Sequence, residues 1–470
     1  MTSQTLQWGG RFRGAADPEL LAFGSSLEDD LPLAAFDARC SQAHVCALAG
    51  GGIIDEQTAD ALRAALDAVV CEIGDGSFAA AARSGGAEDI HGAIDARVRE
   101  LAPVAGARLH AGRSRNDQVA TTLCLYAAAR AQAGKNRCLA IAQRLLERAR
   151  QELAAGTLLA GTTHGQPAQP ISLAFWLAAA AEPFARAARA FATVAAEAMH
   201  SMPLGSAALA GSSLPLDRRA AANLLGFAEP SRNALDAIGT RDALLDCAHA
   251  WVRACASASR ICAELVVWAG GPFGYVRIGD ASSTGSSLMP QKRNPDIFEL
   301  VRGGAHEVTA AYTGALTTLI GLPLSYHRDL QQCKRLAIGC IERAMSLLDA
   351  FARALDDVTF VAEKMNAAAN DGYVVATDLA EALVASGLDA RQAHSLVGAR
   401  VCLAEEARRA LDASDLQALG ATLDNPAFSA PLDAAASVAA KRTEGSTSPV
   451  CVARALDALA EELAALEHLP

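Results

Sequence analysis

Four short segments gather the side chains of this chain that are best suited to move protons and hold anions. Read as polar loops that interrupt the helices, they are Glu88-Asp89-Ile90-His91, His110-Ala111-Gly112-Arg113-Ser114-Arg115-Asn116-Asp117-Gln118, Thr162-Thr163-His164-Gly165-Gln166-Pro167-Ala168-Gln169-Pro170, and Thr284-Gly285-Ser286-Ser287-Leu288-Met289-Pro290-Gln291-Lys292-Arg293-Asn294-Pro295. The last is the most informative. One glycine and two serines make a flexible, hydroxyl-bearing loop, and Lys292 and Arg293 stand just ahead of a helix start. Asn294-Pro295-Asp296 offers that helix an N-cap, a proline at its first position and an early acid. A helix start has free N–H groups and positive dipole character, so the unit suits a carboxylate. Taken alone, an ordinary capped loop with solvated basic side chains accounts for the same residues.

Such groups need rigid elements behind them. Alanine, the strongest helix former, is more than a fifth of the 470 residues. A seam of small residues runs Leu245, Ala248, Val252, Cys255, Ser259, Cys262, Val266, and a second runs Ile341, Met345, Leu348, Ala352, Leu355. A third follows Asp296 through Ile297, Val301, Val308, Ala315 and Leu319. Their steps of three and four predict long packed helices. Three parts are expected: a mixed segment 1–110 broken at Gly50-Gly51-Gly52, long helices over 111–365, and shorter helices over 366–470 with a turn at Asp424-Asn425-Pro426.

Composition narrows the function. A net charge of −11 argues against nucleic acid as a partner. No apolar run approaches the ~18 residues of a membrane span. The start of the chain lacks the pattern of a signal peptide, so a cytoplasmic protein is expected. Twelve cysteines occur without a Cys-x-x-Cys pair, which favours reduced core thiols over disulfides or metal. Only five lysines stand among 41 basic residues, which makes each worth placing.

The loop Gly285-Ser286-Ser287-Leu288-Met289-Pro290-Gln291-Lys292-Arg293-Asn294-Pro295 resembles the signature loop of the fumarase/aspartase superfamily. Further segments narrow the resemblance to the argininosuccinate lyases. They are Trp8-Gly9-Gly10-Arg11-Phe12, Gly112 to Gln118, Pro203-Leu204-Gly205-Ser206, Leu235-Asp236-Ala237, Gly321-Leu322-Pro323-Leu324-Ser325-Tyr326, Ala376-Thr377-Asp378-Leu379-Ala380 and Arg391-Gln392-Ala393-His394. They follow one another in family order along nearly the whole chain. The resemblance implies an all-α fold, with a long central helix bundle and smaller N- and C-terminal helical domains. It implies a homotetramer with sites shared between subunits, and argininosuccinate as the small-molecule substrate. It implies cleavage to arginine and fumarate by β-elimination, in arginine biosynthesis. No metal and no cofactor is expected.

Roles carry over from the same matches. Ser286 would be the base, Lys292 the stabiliser of the dianionic intermediate, and His164, paired with Glu299, the proton handler at the leaving nitrogen. Ser26, Ser114, Arg115, Asn116, Thr163 and Asn294 would hold carboxylates or polar groups of the substrate. Tyr326, Gln331 and Lys334 would hold its arginine-derived part, with Asp89 and His91 in support. Four stretches depart from the family pattern: Gly165-Gln166-Pro167, Ala207 in place of a glycine, Thr240 in place of an acid before Arg241, and Cys333 in a usually more acidic run. Two alternatives stand beside this reading. One is a lyase releasing fumarate from a different N-substituted aspartate. The other is a non-catalytic structural homologue, against which the intact Ser286, Lys292 and His164 speak.

Overall fold

Where apolar residues recur every three or four positions in an alanine background, a helix satisfies the backbone and the core together. The structure, a computed structural model, describes residues 17–469, so Trp8-Gly9-Gly10-Arg11-Phe12 lies outside the described residues. Five helices exceed 20 residues among them: Arg115–Ala155, Leu173–Ala198, Asp242–Ala269, Asp296–Thr317 and Leu330–Asp356. Pro183 sits inside the second without ending it. Among the described residues, strand is confined to three two-stranded pairs. The protein is all-α, as expected.

The seams need adjustment. In Asp242–Ala269 the buried stripe runs through Leu244, Cys247, Trp251, Ala254, Ala258, Ile261 and Leu265, together with Ala248, Cys255 and Cys262. Val252, Ser259 and Val266 are only half-buried. The buried face is broader than the heptad line suggested, as for a helix contacting neighbours over several of its sides. The helix that carries the third seam begins at Asp296, with Phe298 buried where Ile297 was expected, and ends at Thr317 before Leu319. Asn294 does not cap it; its side chain donates instead to Thr284 Oγ1 at 3.4 Å and Gly285 O at 3.5 Å.

The chain forms two units by its contacts, each assembled from three stretches of sequence. The first takes residues up to Gln132, Thr193–His249 and Thr309–Glu342. Cys40, Ala43 and Ala47 pack there with Leu125, Met202, Leu204, Leu225 and Phe227. The break at Gly50-Gly51-Gly52 has a steric reason: a Cβ on Gly51 would lie 1.9 Å from Pro215 O. The second unit takes Ala133–Ala192, Ala250–Val308 and the chain from Arg343 onward. Its short C-terminal helices bury Leu379, Leu383, Ala393, Val397 and Leu419. One acid of the recognised C-terminal segments, Asp378, and one outside them, Asp415, are explained there. Asp378 is buried and takes Lys441 Nζ at 2.8 Å and Ser437 Oγ at 2.6 Å. Asp415 is buried between Arg400 and Arg409, at 2.8 and 2.6 Å. All twelve cysteines are free and seven of them are buried, as core thiols should be.

Candidate active site

In the first unit, three chain segments converge on an open cavity of about 240 Å³. Asp89 caps the Ile90–Leu101 helix by accepting from Gly92 N at 2.7 Å, which places His91 at the second position of its first turn. Ser114 and Asp117 cap the Arg115–Ala155 helix reciprocally. Ser114 Oγ accepts from Asn116 N at 3.2 Å, and Asp117 Oδ1 accepts from Ser114 N at 3.0 Å. This fixes Arg115 and Asn116 at the cavity wall. The segment from Tyr326 to Lys334 supplies the third side, and Ser26 closes it. Eight of the residues singled out from sequence therefore share one cavity: Ser26, Asp89, His91, Arg115, Asn116, Tyr326, Gln331 and Lys334.

Charges in this wall are largely paired. Arg115 Nη1 meets Asp89 Oδ1 at 2.6 Å, Arg328 Nη2 meets Glu88 Oε1 at 2.7 Å, and Lys334 Nζ meets the buried Asp30 at 2.5 Å. Asp30 also accepts from Ser26 Oγ at 2.7 Å, so Lys334 and Ser26 are held through one carboxylate. Burial opposes ionisation of Asp89, yet His91, Arg115 and the Gly92 N–H outweigh it and hold its carboxyl below the ordinary value. Tyr326 is pushed up by burial.

His91 is fixed from behind. Its Nδ1 lies 2.8 Å from Asp37 Oδ1, a carboxylate also bonded by Gln118 Nε2 and Thr122 Oγ1. Its Nε2 is buried with no hydrogen-bond partner. Burial alone would raise the Asp37 pKa; His91, Arg113 and Gln118 bring it down to about 2, against an ordinary 3.8. A depressed folded-state value stabilises the fold above the ordinary pKa and is lost as pH falls through 2. Asp37 should thus contribute about 2 kcal/mol at neutral pH. Unfolding midpoints measured between pH 5 and pH 2 should fall less steeply for Asp37→Asn than for the unaltered chain; equal slopes would refute the assignment.

The remaining candidates lie in the second unit. The third polar segment is a β-hairpin rather than a loop: Leu158–Thr163 pairs antiparallel with Gln166–Ser172, with an irregularity between Gly161 and Thr162. His164 and Gly165 are its two-residue turn, at φ 55° and 73°, the sign pattern of a type I′ turn. The glycine after His164 is therefore the residue this turn needs. Thr163 and His164 are exposed at its tip. In the signature loop Ser286 is half-buried, and its Oγ accepts from Leu288 N at 3.2 Å and Met289 N at 3.1 Å. Lys292 is exposed. Glu299 faces Arg302 at 3.9 Å on its own helix, so the pairing with His164 is not made within the chain.

A lyase family profile matches residues 10–310, and an argininosuccinate lyase C-terminal profile matches residues 373–439. Argininosuccinate lyase of Nitratidesulfovibrio vulgaris is 39% identical over 97% of this chain and 98% of its own length. The chain belongs to the argininosuccinate lyase family. That of Anaeromyxobacter dehalogenans is 44% identical over 82% of this chain and 81% of its own. Among solved structures, EDDS lyase in complex with formate superposes with a TM-score of 0.78 at 23% identity, over 97% of this chain and 91% of that one. Class II fumarase from Schistosoma mansoni gives 0.67 at 18%, over 84% and 87%. These two show the fold, that of the fumarase/aspartase superfamily.

One departure from the argininosuccinate lyase pattern has a structural cost. Ala207 sits at φ 52°, and its N–H, with that of Gly205, donates to Asp117 Oδ2 at 2.8 and 2.9 Å. Asn116 Nδ2 reaches Ala208 O at 2.9 Å, so this turn is tied to the cavity wall. An L-residue in the left-handed region is strained where glycine is not. Ala207→Gly should raise stability by up to about 1 kcal/mol, read as a higher urea midpoint. A lowered midpoint would show that the alanine is not strained there.

Two cations of the cavity wall, Arg241 and Arg328, were not among the residues singled out from sequence. Arg328 lies two positions past Tyr326 and had a usable signal in that neighbourhood. Arg241 is a single arginine ahead of a helix in an arginine-rich chain, marked locally only by the departure at Thr240.

Proposed function

We propose that this protein cleaves argininosuccinate reversibly to arginine and fumarate. What carries the reading is the near full-length likeness to argininosuccinate lyases, with every side chain of the expected chemistry present. The Ser286 alkoxide takes the proton from the carbon beside a succinyl carboxylate. The electron pair passes into that carboxylate, which then bears two negative charges and is met by Lys292. The carbon–nitrogen bond breaks as the double bond of fumarate forms, and His164 supplies a proton to the departing guanidino nitrogen. Two N–H groups aimed at Ser286 Oγ favour its alkoxide, because hydrogen bonds to a charged form lower its pKa. The cavity wall, with guanidinium, ammonium and carboxylate groups, suits a substrate that carries both signs of charge.

The catalytic loop, the His164 hairpin and the cavity are brought together by assembly of four identical chains, with sites shared between subunits. In that assembly Glu299 pairs with the His164 of another chain. The enzyme works in the cytoplasm, in arginine biosynthesis. The deciding assay is fumarate absorbance from purified protein and argininosuccinate. Fumarate from another N-substituted aspartate, with none from argininosuccinate, would replace this reading.

A further inference from the structure

Of the four cations lining the cavity, three meet a carboxylate: Arg115 with Asp89, Arg328 with Glu88, and Lys334 with Asp30. Arg241 does not. It is 4% exposed, and its Nη1 donates only to the carbonyl oxygens of Ile238 at 3.3 Å and Thr240 at 2.6 Å. Its Nε is buried without a partner. The ionisable groups facing it among the described residues are the Tyr326 hydroxyl and the Cys124 and Cys333 thiols. All three are uncharged at neutral pH: burial raises each of them. A guanidinium stays charged wherever it is placed. A buried charge is costly until an opposite charge or a full set of hydrogen bonds meets it. The fork of N–H donors is shaped for a carboxylate.

We propose that Arg241 is a substrate-binding residue that holds the α-carboxylate of the arginine half. The inference rests on the proposed function and adds to it a residue and a group. Position selects this carboxylate over the succinyl pair, because Arg241 adjoins Tyr326, on the side assigned to the arginine-derived part. The guanidinium is buried and already oriented by two backbone carbonyls, so the carboxylate meets a donor set with little ordering left to do. Lys334, neutralised by Asp30, is left to orient polar groups rather than to supply the missing charge.

The test compares arginine with agmatine, which differs only by lacking that carboxylate. Calorimetric titration of the assembled enzyme should show arginine binding about 10- to 100-fold tighter than agmatine, the range expected of a charge-assisted contact. In Arg241→Gln the arginine affinity should fall to that of agmatine, with agmatine unchanged. For argininosuccinate KM should rise by a similar factor while kcat changes little. Arg241→Lys keeps the charge but loses the fork, and should retain part of the discrimination; it serves if the glutamine variant fails to fold. Full discrimination in either folded variant, or equal loss of both ligands, would overturn the assignment. An enzyme that releases fumarate yet discriminates without Arg241 sinks this inference alone. One that binds neither ligand and releases no fumarate from argininosuccinate sinks the functional reading with it.

Discussion

Ser286→Ala should lower fumarate release from argininosuccinate by about 10²- to 10⁴-fold, the contribution of a positioned general base, and leave the fold and substrate affinity almost unchanged. The proton to be removed lies beside a carboxylate and is weakly acidic, so no other loop residue substitutes easily. Ser287 is exposed, and the two N–H groups of Leu288 and Met289 converge on Ser286 Oγ alone. The folding cost is small because this hydroxyl makes only turn hydrogen bonds at the surface of its unit. Water can satisfy both donors in the variant. Steady-state kinetics beside a circular-dichroism melt separate the two effects. Activity within about tenfold of the parent, below what a general base contributes, would remove Ser286 as the base and shift attention to His164.

Much of the architecture was legible because its determinants are local. Alanine background and three-four periodicity place the long helices without reference to any partner. What the periodicity could not place was the width of the buried face. Trp251, Ala254 and Ala258 are buried because neighbours reach that side of the helix, information held elsewhere in the chain. The hairpin at 158–172 was missed for a related reason. Its two prolines, Pro167 and Pro170, read as loop signals, but they fall in the second strand of an isolated pair, where a residue without an N–H leaves no further strand short of a donor.

Within the site, motif-bearing residues were found and their supports were not. Asp30 and Asp37 are ordinary acids in the sequence. They matter because folding brings Asp30 to Lys334 and Asp37 to His91, across 304 and 54 positions. Arg241 shows the same limit from the other side. Thr240 and Cys333 were visible as departures from an acidic pattern. That the guanidinium is left without a carboxylate became visible only once burial and neighbours were known. Ala207 and Gly165 were also marked as departures. One proved to be a strained turn and the other a fitting one: both sit at positive φ, which glycine adopts freely and alanine does not.

Mixing two inactive variants should restore activity if sites are shared between chains. Arg115→Met removes a cation from the cavity wall, and Ser286→Ala removes the proposed base. Each assembled alone should be nearly inert. Suppose one chain supplies the cavity and another supplies the loop. Random reassortment of the two variants then gives both intact contributions at about one site in four, as symmetry and equal mixing require. Activity should climb from near zero to about a quarter of the parent's after the chains are exchanged by mild denaturation and renaturation. If one chain supplied both residues, every site in every hybrid would carry a defect, and no mixture would recover. The contrast does not depend on the size of either single effect, because both variants are present at the same ratio throughout. Complete lack of recovery, with hybrids demonstrated by native mass spectrometry, would place Arg115 and Ser286 in a site formed by one chain. The exposure of His164 and Lys292, and the pairing of Glu299 with its own helix neighbour Arg302, favour the first outcome.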